Sequence, residues 1–324
     1  MIAATGQGRP AVKRKFHAAV SLKDFRRSLI KNYDLYLITI PVVAYFLIFA
    51  YWPMYGVQIA FRDFSPSLGI EKSPWVGLKH LEIFADSFYF WRLIRNTVGI
   101  SLYGILIGIP APIVLAIIFE EVRNRKLRSV LQSVSYAPNF MSTVVVCGII
   151  LMFLSPQSGV IPAIFKALGI TQKTSLIADK SLFWHIYVWS GVWQSIGWGS
   201  LIYTAAISGI PTEQYEAARI EGANKLQQIF NVTIPNIMST IVIISILSVG
   251  GIMSIGFEKV FLLQNANNQE FSEVISTYVY KVGLLDRPRY SFASMVGLFN
   301  SIINMVILVI VNFFAKRYGE TSLW

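Results

Sequence analysis

The sequence predicts an all-α integral membrane protein with six spanning helices. Three observations carry that prediction. Of the 324 residues, 54% are hydrophobic and only 14% are charged, where a soluble domain carries roughly 25% charged residues. The mean hydropathy is +0.55. The apolar residues fall into six runs, at about 35–58, 96–119, 130–154, 185–207, 235–256 and 293–315. Each is near the ~20 residues that a helix needs to cross the hydrocarbon.

Residues 1–34 form a basic tail with Arg9, Lys13, Arg14, Lys15, Lys23, Arg26, Arg27 and Lys31. The tail has the charge of a signal-peptide start. The run after it, however, has no small-residue cleavage site and is long enough to span, so the tail is expected to be retained. Residues 35–324 then form one membrane domain. Pro41 and Pro53 lie in the first run, Pro110 and Pro112 in the second and Pro138 in the third. Proline is tolerated in buried membrane helices, where its kinks shape cavities. Six spans place both termini on the same side.

Lysine and arginine set the orientation. With the N-terminus inside, the cytoplasmic segments hold 16 of them and the external segments 12. The tail and the 120–129 connection are dense, and they decide it. The net charge of +11 therefore reads as positive-inside bias rather than as a nucleic-acid surface. Between the first two spans, Trp75–Phe84 leads to Phe88-Tyr-Phe-Trp91 and Arg95-Asn-Thr97. The pattern predicts a short amphipathic helix at the outer surface, with aromatics at headgroup level.

The stretch from about 211 to 235 is a polar island between the fourth and fifth runs. Thr212 suits an N-cap, and Glu213 and Glu216 sit in or near the first turn, where the helix dipole favours acid. Gly222 can end that helix in a left-handed conformation. Asn224 and Gln227 have the spacing of a capping box for a second short helix. Pro235 opens the next run, where a missing N–H does little harm. Ala217 and Ala218 are small enough for another protein's backbone to approach. The charge rule puts this loop in the cytoplasm.

Glu216, Ala217, Ala218, Gly222, Ile234 and Pro235 stand in the places of the EAA loop, and the chain resembles permease subunits of binding-protein-dependent ABC importers. Glu221 stands where the family commonly has Asp. The resemblance implies the six-helix importer-permease fold, with Glu216, Ala217, Ala218, Glu221, Gly222 and Pro235 forming a coupling helix that docks on an ATPase. The segments Pro53–Phe64 and Thr321–Trp324 are similar to the carbohydrate-type branch for complex oligosaccharides, in which the first permease subunits of bacterial alginate importers are found. Implied partners are a second homologous permease, two ATPase subunits, an extracytoplasmic solute-binding protein and an oligosaccharide. ATP and Mg would then be held on the ATPases, in the bacterial inner membrane assembly, with no cofactor in this chain.

Read from its own residues, the chain shows no nucleotide, metal or catalytic constellation. It lacks G-x-x-x-x-G-K-[ST], so no phosphate cradle is encoded. His17, His80 and His185 are far apart, and the one cysteine, Cys147, lies in an apolar run, so neither ligand spacing nor a disulfide within the chain arises. No Asp, Glu, Lys or Arg lies near the centre of a span. Candidates for a substrate path are instead Trp189, Trp193 and Gln194 in the fourth run, Ser245 and Ser248 in the fifth, and Asn300 and Asn304 in the sixth. Aromatic faces pack against the C–H faces of sugars, and amides bond hydroxyls. The competing reading is helix packing, with the Trp stripe against lipid or neighbouring helices and the amides bonded between helices. An ATP-independent carrier or channel for small solutes is the alternative function. The absence of membrane-embedded charge weighs against it, and against an embedded enzyme.

Overall fold

The computed structural model describes residues 31–169, 175–285 and 287–318. The basic residues Arg9 to Arg27, His17 and Thr321–Trp324 lie outside them. The chain divides into two compact units, Met1–Val57 and Gln58–Trp324. Among the described residues the structure is helical, and the only β feature is an isolated bridge between Arg62 and Trp75.

In the first unit, α1 (Tyr33–Phe46) contains Pro41 and buries none of its residues. A π-helical turn, Leu47–Tyr51, follows it. Pro53 has no N–H to give the carbonyl four residues back, and its ring crowds that carbonyl; a wider turn relieves both. The same device recurs in the second unit before Pro235.

In the second unit, a four-residue helix, Gly69–Lys72, precedes α2 (Lys79–Ala85), which buries His80 and Phe84. Phe84 was expected at headgroup level. It is instead a core residue, edge-on to Phe90, Phe292 and Phe299. Burying such a ring contributes about 1.5–3 kcal/mol. The next span is two helices, α3 (Phe90–Gly108) and α4 (Pro110–Glu121). Pro110 and Pro112, either side of Ala111, remove two backbone donors at the junction. Asn96, fully buried, ties the start of α3 to the 270–273 connection by donating to the carbonyls of Glu270 (3.0 Å) and Glu273 (2.9 Å).

The third expected span is not straight. α5 (Arg125–Tyr136) runs on through a 3₁₀ turn, Ala137–Phe140, and α6 (Thr143–Phe153) leaves at 99°. Pro138 and the N-cap of Ser142, whose hydroxyl accepts from the Val145 N–H, make the break. Against it lies α7 (Phe183–Ser208), 26 residues long. Gly197 sits at the crossing, where a Cβ would overlap the Ser135 carbonyl.

α8 (Thr212–Ile220) and α9 (Lys225–Gly250) follow. Then come α10 (Phe257–Leu263), α11 (Ile275–Tyr280) and α12 (Tyr290–Tyr318). Among the described residues, four helical stretches are long and apolar enough to cross a membrane, five counting the bent α5–α6 pair. The expected fourth span, α7, has the length without the hydropathy. Its Trp, Tyr, Gln, Ser and Gly residues dilute its apolar content.

Candidate functional site

The 211–235 segment folds from local signals. Pro211, not Thr212, holds the N-cap of α8, with ψ of 132°, and the Thr212 hydroxyl makes no capping bond. The extended proline already turns the chain into the helix, so Thr212 is its first helical residue. Glu213 lies in the first turn and Arg219 in the last, each on the side that the dipole favours. The helix ends in a Schellman turn. Gly222 has φ of +85°, its N–H donates to the Arg219 carbonyl (3.0 Å), and the Ala223 N–H donates to the Ala218 carbonyl (2.9 Å). Asn224 then caps α9. Its side chain accepts from the Gln227 N–H (2.9 Å), while Gln227 Oε1 accepts from the Asn224 N–H (2.7 Å).

The second helix is not a separate short element, as the sequence led us to expect. It continues through a π-helical turn, Ile229–Thr233, into the apolar run that Pro235 opens. The turn accommodates the carbonyl that Pro235 cannot satisfy. Side chains clamp the two helices together. Tyr215 Oη lies 3.0 Å from Thr233 Oγ1, Asn236 Nδ2 donates to Gln214 Oε1 (2.7 Å), and Gln228 Nε2 donates to the Ala223 carbonyl (2.9 Å). Lys225 Nζ pairs with Glu121 at the end of α4 (2.6 Å), and Arg128 pairs with Glu120. Between these elements lies a cleft of 640 Å³ lined by Glu120, Arg123, Thr212, Tyr215, Arg219 and Lys225.

The two alanines face differently. Ala218 packs with Tyr215 against the buried cluster of Ile113, Tyr203, Ile207 and Ile237, whereas Ala217 is exposed. Glu216 and Glu221 are exposed, and their side chains make no ion pair among the described residues. The tip also carries three large apolar side chains in the open: Ile220 at 88%, Leu226 at 66% and Phe230 at 68% exposure. Sequence reasoning missed these. The available signal was apolar residues inside a polar island, which helical spacing alone reads as core-facing.

The path candidates separate into two groups. Gln194 Nε2 donates to the Met141 carbonyl (3.2 Å) at the α5–α6 break. Asn300 Nδ2 donates to the Met253 carbonyl (3.1 Å). Asn304 accepts from the Met253 N–H (3.1 Å) and donates to Ser254 Oγ (3.1 Å). These amides hold breaks and turns. Ser245 and Ser248 donate back to the carbonyls of Ile241 and Ile244, and Ser248 also lines a 230 Å³ cleft with Ser101, Gly104, Gly108 and Gly251. Trp189 and Trp193 are exposed. The Trp189 ring is oriented by its Nε1–H, which donates to Tyr103 Oη (2.9 Å); that hydroxyl lies 2.9 Å from His185 Nδ1.

Lys259 is a further group that the sequence did not mark. It belongs to α10, outside the spans, yet is buried against α7. Its Nζ donates to the Tyr187 carbonyl (3.0 Å) and lies 4.9 Å from that ring's centroid. Burial pushes its pKa down to about 8.

Comparison with known proteins adds the following. Residues 108–320 match the family model described as binding-protein-dependent transport system inner membrane component. Protein LplB of Bacillus subtilis (strain 168) is 37% identical over 290 residues, covering 90% of this chain and 91% of that protein. The polygalacturonan/rhamnogalacturonan transport system permease protein YteP of the same organism is 36% identical over 316 residues, covering 97% of this chain and 98% of that protein. Among solved structures, a bacterial alginate ABC transporter in complex with alginate pentasaccharide-bound periplasmic protein is similar with a TM-score of 0.85 and 33% identity. The match covers 94% of this chain and all of that one. A bacterial ABC transporter involved in import of the acidic polysaccharide alginate gives a TM-score of 0.83 at 34% identity, over 91% of this chain and 99% of that one.

Proposed function

The chain belongs to the binding-protein-dependent transport system inner membrane component family, and from that membership we propose that it is a permease subunit of an ATP-driven oligosaccharide importer. It forms the path together with a second homologous permease chain. Two ATPase subunits bind ATP and Mg²⁺, and an extracytoplasmic binding protein delivers the sugar. Relatives named for polygalacturonan/rhamnogalacturonan transport and for alginate import favour acidic, uronate-type chains as substrate. Both termini and the 211–235 loop lie in the cytoplasm, as the basic tail and the 120–129 connection indicate.

The observation that carries the reading is the exposed trio Ile220, Leu226 and Phe230 at the tip of the α8–α9 hairpin. Large apolar side chains grouped at a polar end of a membrane protein mark a protein-binding surface. Glu216, Ala217, Glu221 and Gly222 lie exposed around them, while Ala218 and Pro235 set how the hairpin joins the membrane domain. Of the path candidates, Trp189 and Trp193 have faces open to a sugar. The experiment places Leu226→Cys in a Cys147→Ser background. The new thiol is expected to react with an impermeant maleimide only from the cytoplasmic side, and to be protected when the ATPase subunits are present. Labelling from outside overturns the orientation. Labelling from inside that the ATPases leave unchanged overturns the docking.

A further inference from the structure

At the start of α3, on the connections that the proposed orientation places outside, lies an open cleft of 600 Å³. Phe88, Trp91, Arg92, Arg95, Gln269 and Glu270 line it. Both rings stand in the open, Phe88 at 86% and Trp91 at 75% exposure. The charges here do not cancel. Lys180 Nζ is 2.6 Å from Glu270 Oε2, and Arg92 pairs with Glu273. Arg95 donates only to neutral acceptors, the Asn96 side-chain oxygen (3.2 Å) and the Glu270 backbone carbonyl (3.0 Å). It is therefore the cation of this group with no carboxylate among the described residues. Glu270 feels its own partner first and the other cations after it. The hydrogen bond from Lys180 holds its carboxyl below the ordinary range, and the charges of Lys180, Arg95 and Arg92 add to the effect, against a smaller opposing desolvation. Another carboxylate on the open wall would enter the same field.

We propose that this cleft is a landing site for an acidic oligosaccharide. Arg95 takes a uronate carboxylate, Phe88 and Trp91 offer faces to sugar C–H groups, and the Gln269 amide oxygen accepts from a hydroxyl. The planar guanidinium suits a carboxylate fork, and the rings supply contact that a neutral sugar would share. The inference rests on the oligosaccharide-importer reading and deepens it: the discrimination between acidic and neutral chains begins on this subunit before the path is entered. An anionic lipid headgroup shares the chemistry of the carboxylate. Against that source, the wall facing the two rings carries Gln269 and Glu270 beside the small Ala266, which is unsuited to lipid chains.

The test uses the whole transporter complex in phosphatidylcholine nanodiscs, without the binding protein. Its probes are a galacturonate tetrasaccharide and maltotetraose. The acidic probe is expected to bind at least about tenfold more tightly, with salt sensitivity. Arg95→Gln should weaken it about three- to tenfold, as for a partly screened charge-assisted bond. Glu270→Gln should tighten it, because a repelling carboxylate is removed; a damaged fold would not produce that opposite sign. Equal affinity in Arg95→Gln, or weaker binding in Glu270→Gln, overturns the site. So does loss of probe binding when phosphatidylglycerol replaces part of the lipid, which would assign the cleft to headgroups. An Arg95→Gln effect confined to association of the binding protein overturns it in favour of a protein contact. Uptake by the wild-type complex separates the two levels. If no oligosaccharide enters, the importer reading fails; if uptake is normal and neither variant changes the acidic-to-neutral ratio, the cleft alone fails.

Discussion

Gly222→Val tests the proposal that the α8–α9 hairpin docks on an ATPase. With φ at +85°, residue 222 occupies backbone space that costs an L-residue about 1–2 kcal/mol, and a β-branched one more. A Cβ built there meets no atom within 4 Å, so the cost is conformational and not a clash. If the turn opens to relieve it, the bonds from Gly222 N–H to Arg219 and from Ala223 N–H to Ala218 are lost, at about 0.5–1.5 kcal/mol net each. Either way the native hairpin is disfavoured by about 1–3 kcal/mol, which lowers its population some five- to 150-fold relative to the alternative. The helices themselves are untouched, so insertion and thermal stability of the membrane domain should hold. The assay is oligosaccharide uptake into proteoliposomes, together with ATPase activity stimulated by the binding protein. Gly222→Asn is the control, since Asn tolerates the left-handed region. The expected order of uptake is wild type, Asn, Ala, Val. Wild-type uptake and wild-type ATPase association in the Val variant would refute the docking role. Equal loss in Asn and Val would refute the conformational account and point to bulk at the interface.

Two further outcomes are expected. Lys259 titrates at about 8 against an ordinary 10.5, so the unfolded chain binds more protons between those values and stability rises with pH across that window. At pH 7 the full penalty stands, on the order of 3 kcal/mol; Lys259→Met should therefore melt higher at pH 7 and lose the rise toward pH 9.5 in scanning fluorimetry, and an unchanged pH profile would show that the amine is hydrated in solution. Asn300→Ala and Asn304→Ala, which free the Met253–Ser254 turn, should each destabilise by about 1–3 kcal/mol and scale uptake of all oligosaccharides together, whereas Trp189→Ala or Trp193→Ala should reorder them in competition assays. A reordering by the Asn variants, with none by the Trp variants, would move the path to α12.

What the sequence made legible is what is local. Gly222, Asn224 and Gln227 specify their turn and cap through bonds spanning three to five residues, so composition and spacing suffice. Pro110, Pro112 and Pro138 marked the broken helices. The 99° bend at 141–142 also needed the Ser142 cap and the Gln194 contact from α7, which lies 53 residues away in sequence. Lys259 read as an external charge because nothing near it in sequence announces Tyr187, 72 residues earlier. The amides of Asn300 and Asn304 shared a face as expected. Their partners lie on the turn after α9, and spacing cannot tell a turn from a cavity. Ala217 and Ala218 looked equivalent as residues; the 100° step of a helix puts one on the core and leaves the other in the open.

The route by which a docked ATPase would act follows from these attachments. α9 is one helix from the hairpin to the far end of its span, Lys225–Gly250, so a force on Leu226 is applied to the same rod that crosses the bilayer. The bonds from Tyr215 to Thr233 and from Gln214 to Asn236 couple α8 to that rod at and just beyond the π-helical turn. The pair Lys225–Glu121 couples it to α4. α4 joins α3 at Ile109, where Pro110 and Pro112 remove two backbone donors, so the helix resists a change of tilt less there than an uninterrupted one would. At the other end, the turn after Gly250 is held by Asn300 and Asn304 of α12, and α12 is packed on α2 and α3 through Phe292 and Phe299 against Phe84 and Phe90. Under the proposed function, the moving body is therefore α8, α9 and α4, pivoting at that turn, while α12, α3 and α2 stay with the cleft around Arg95. A push at the hairpin then changes the path without disturbing the surface that first meets the sugar.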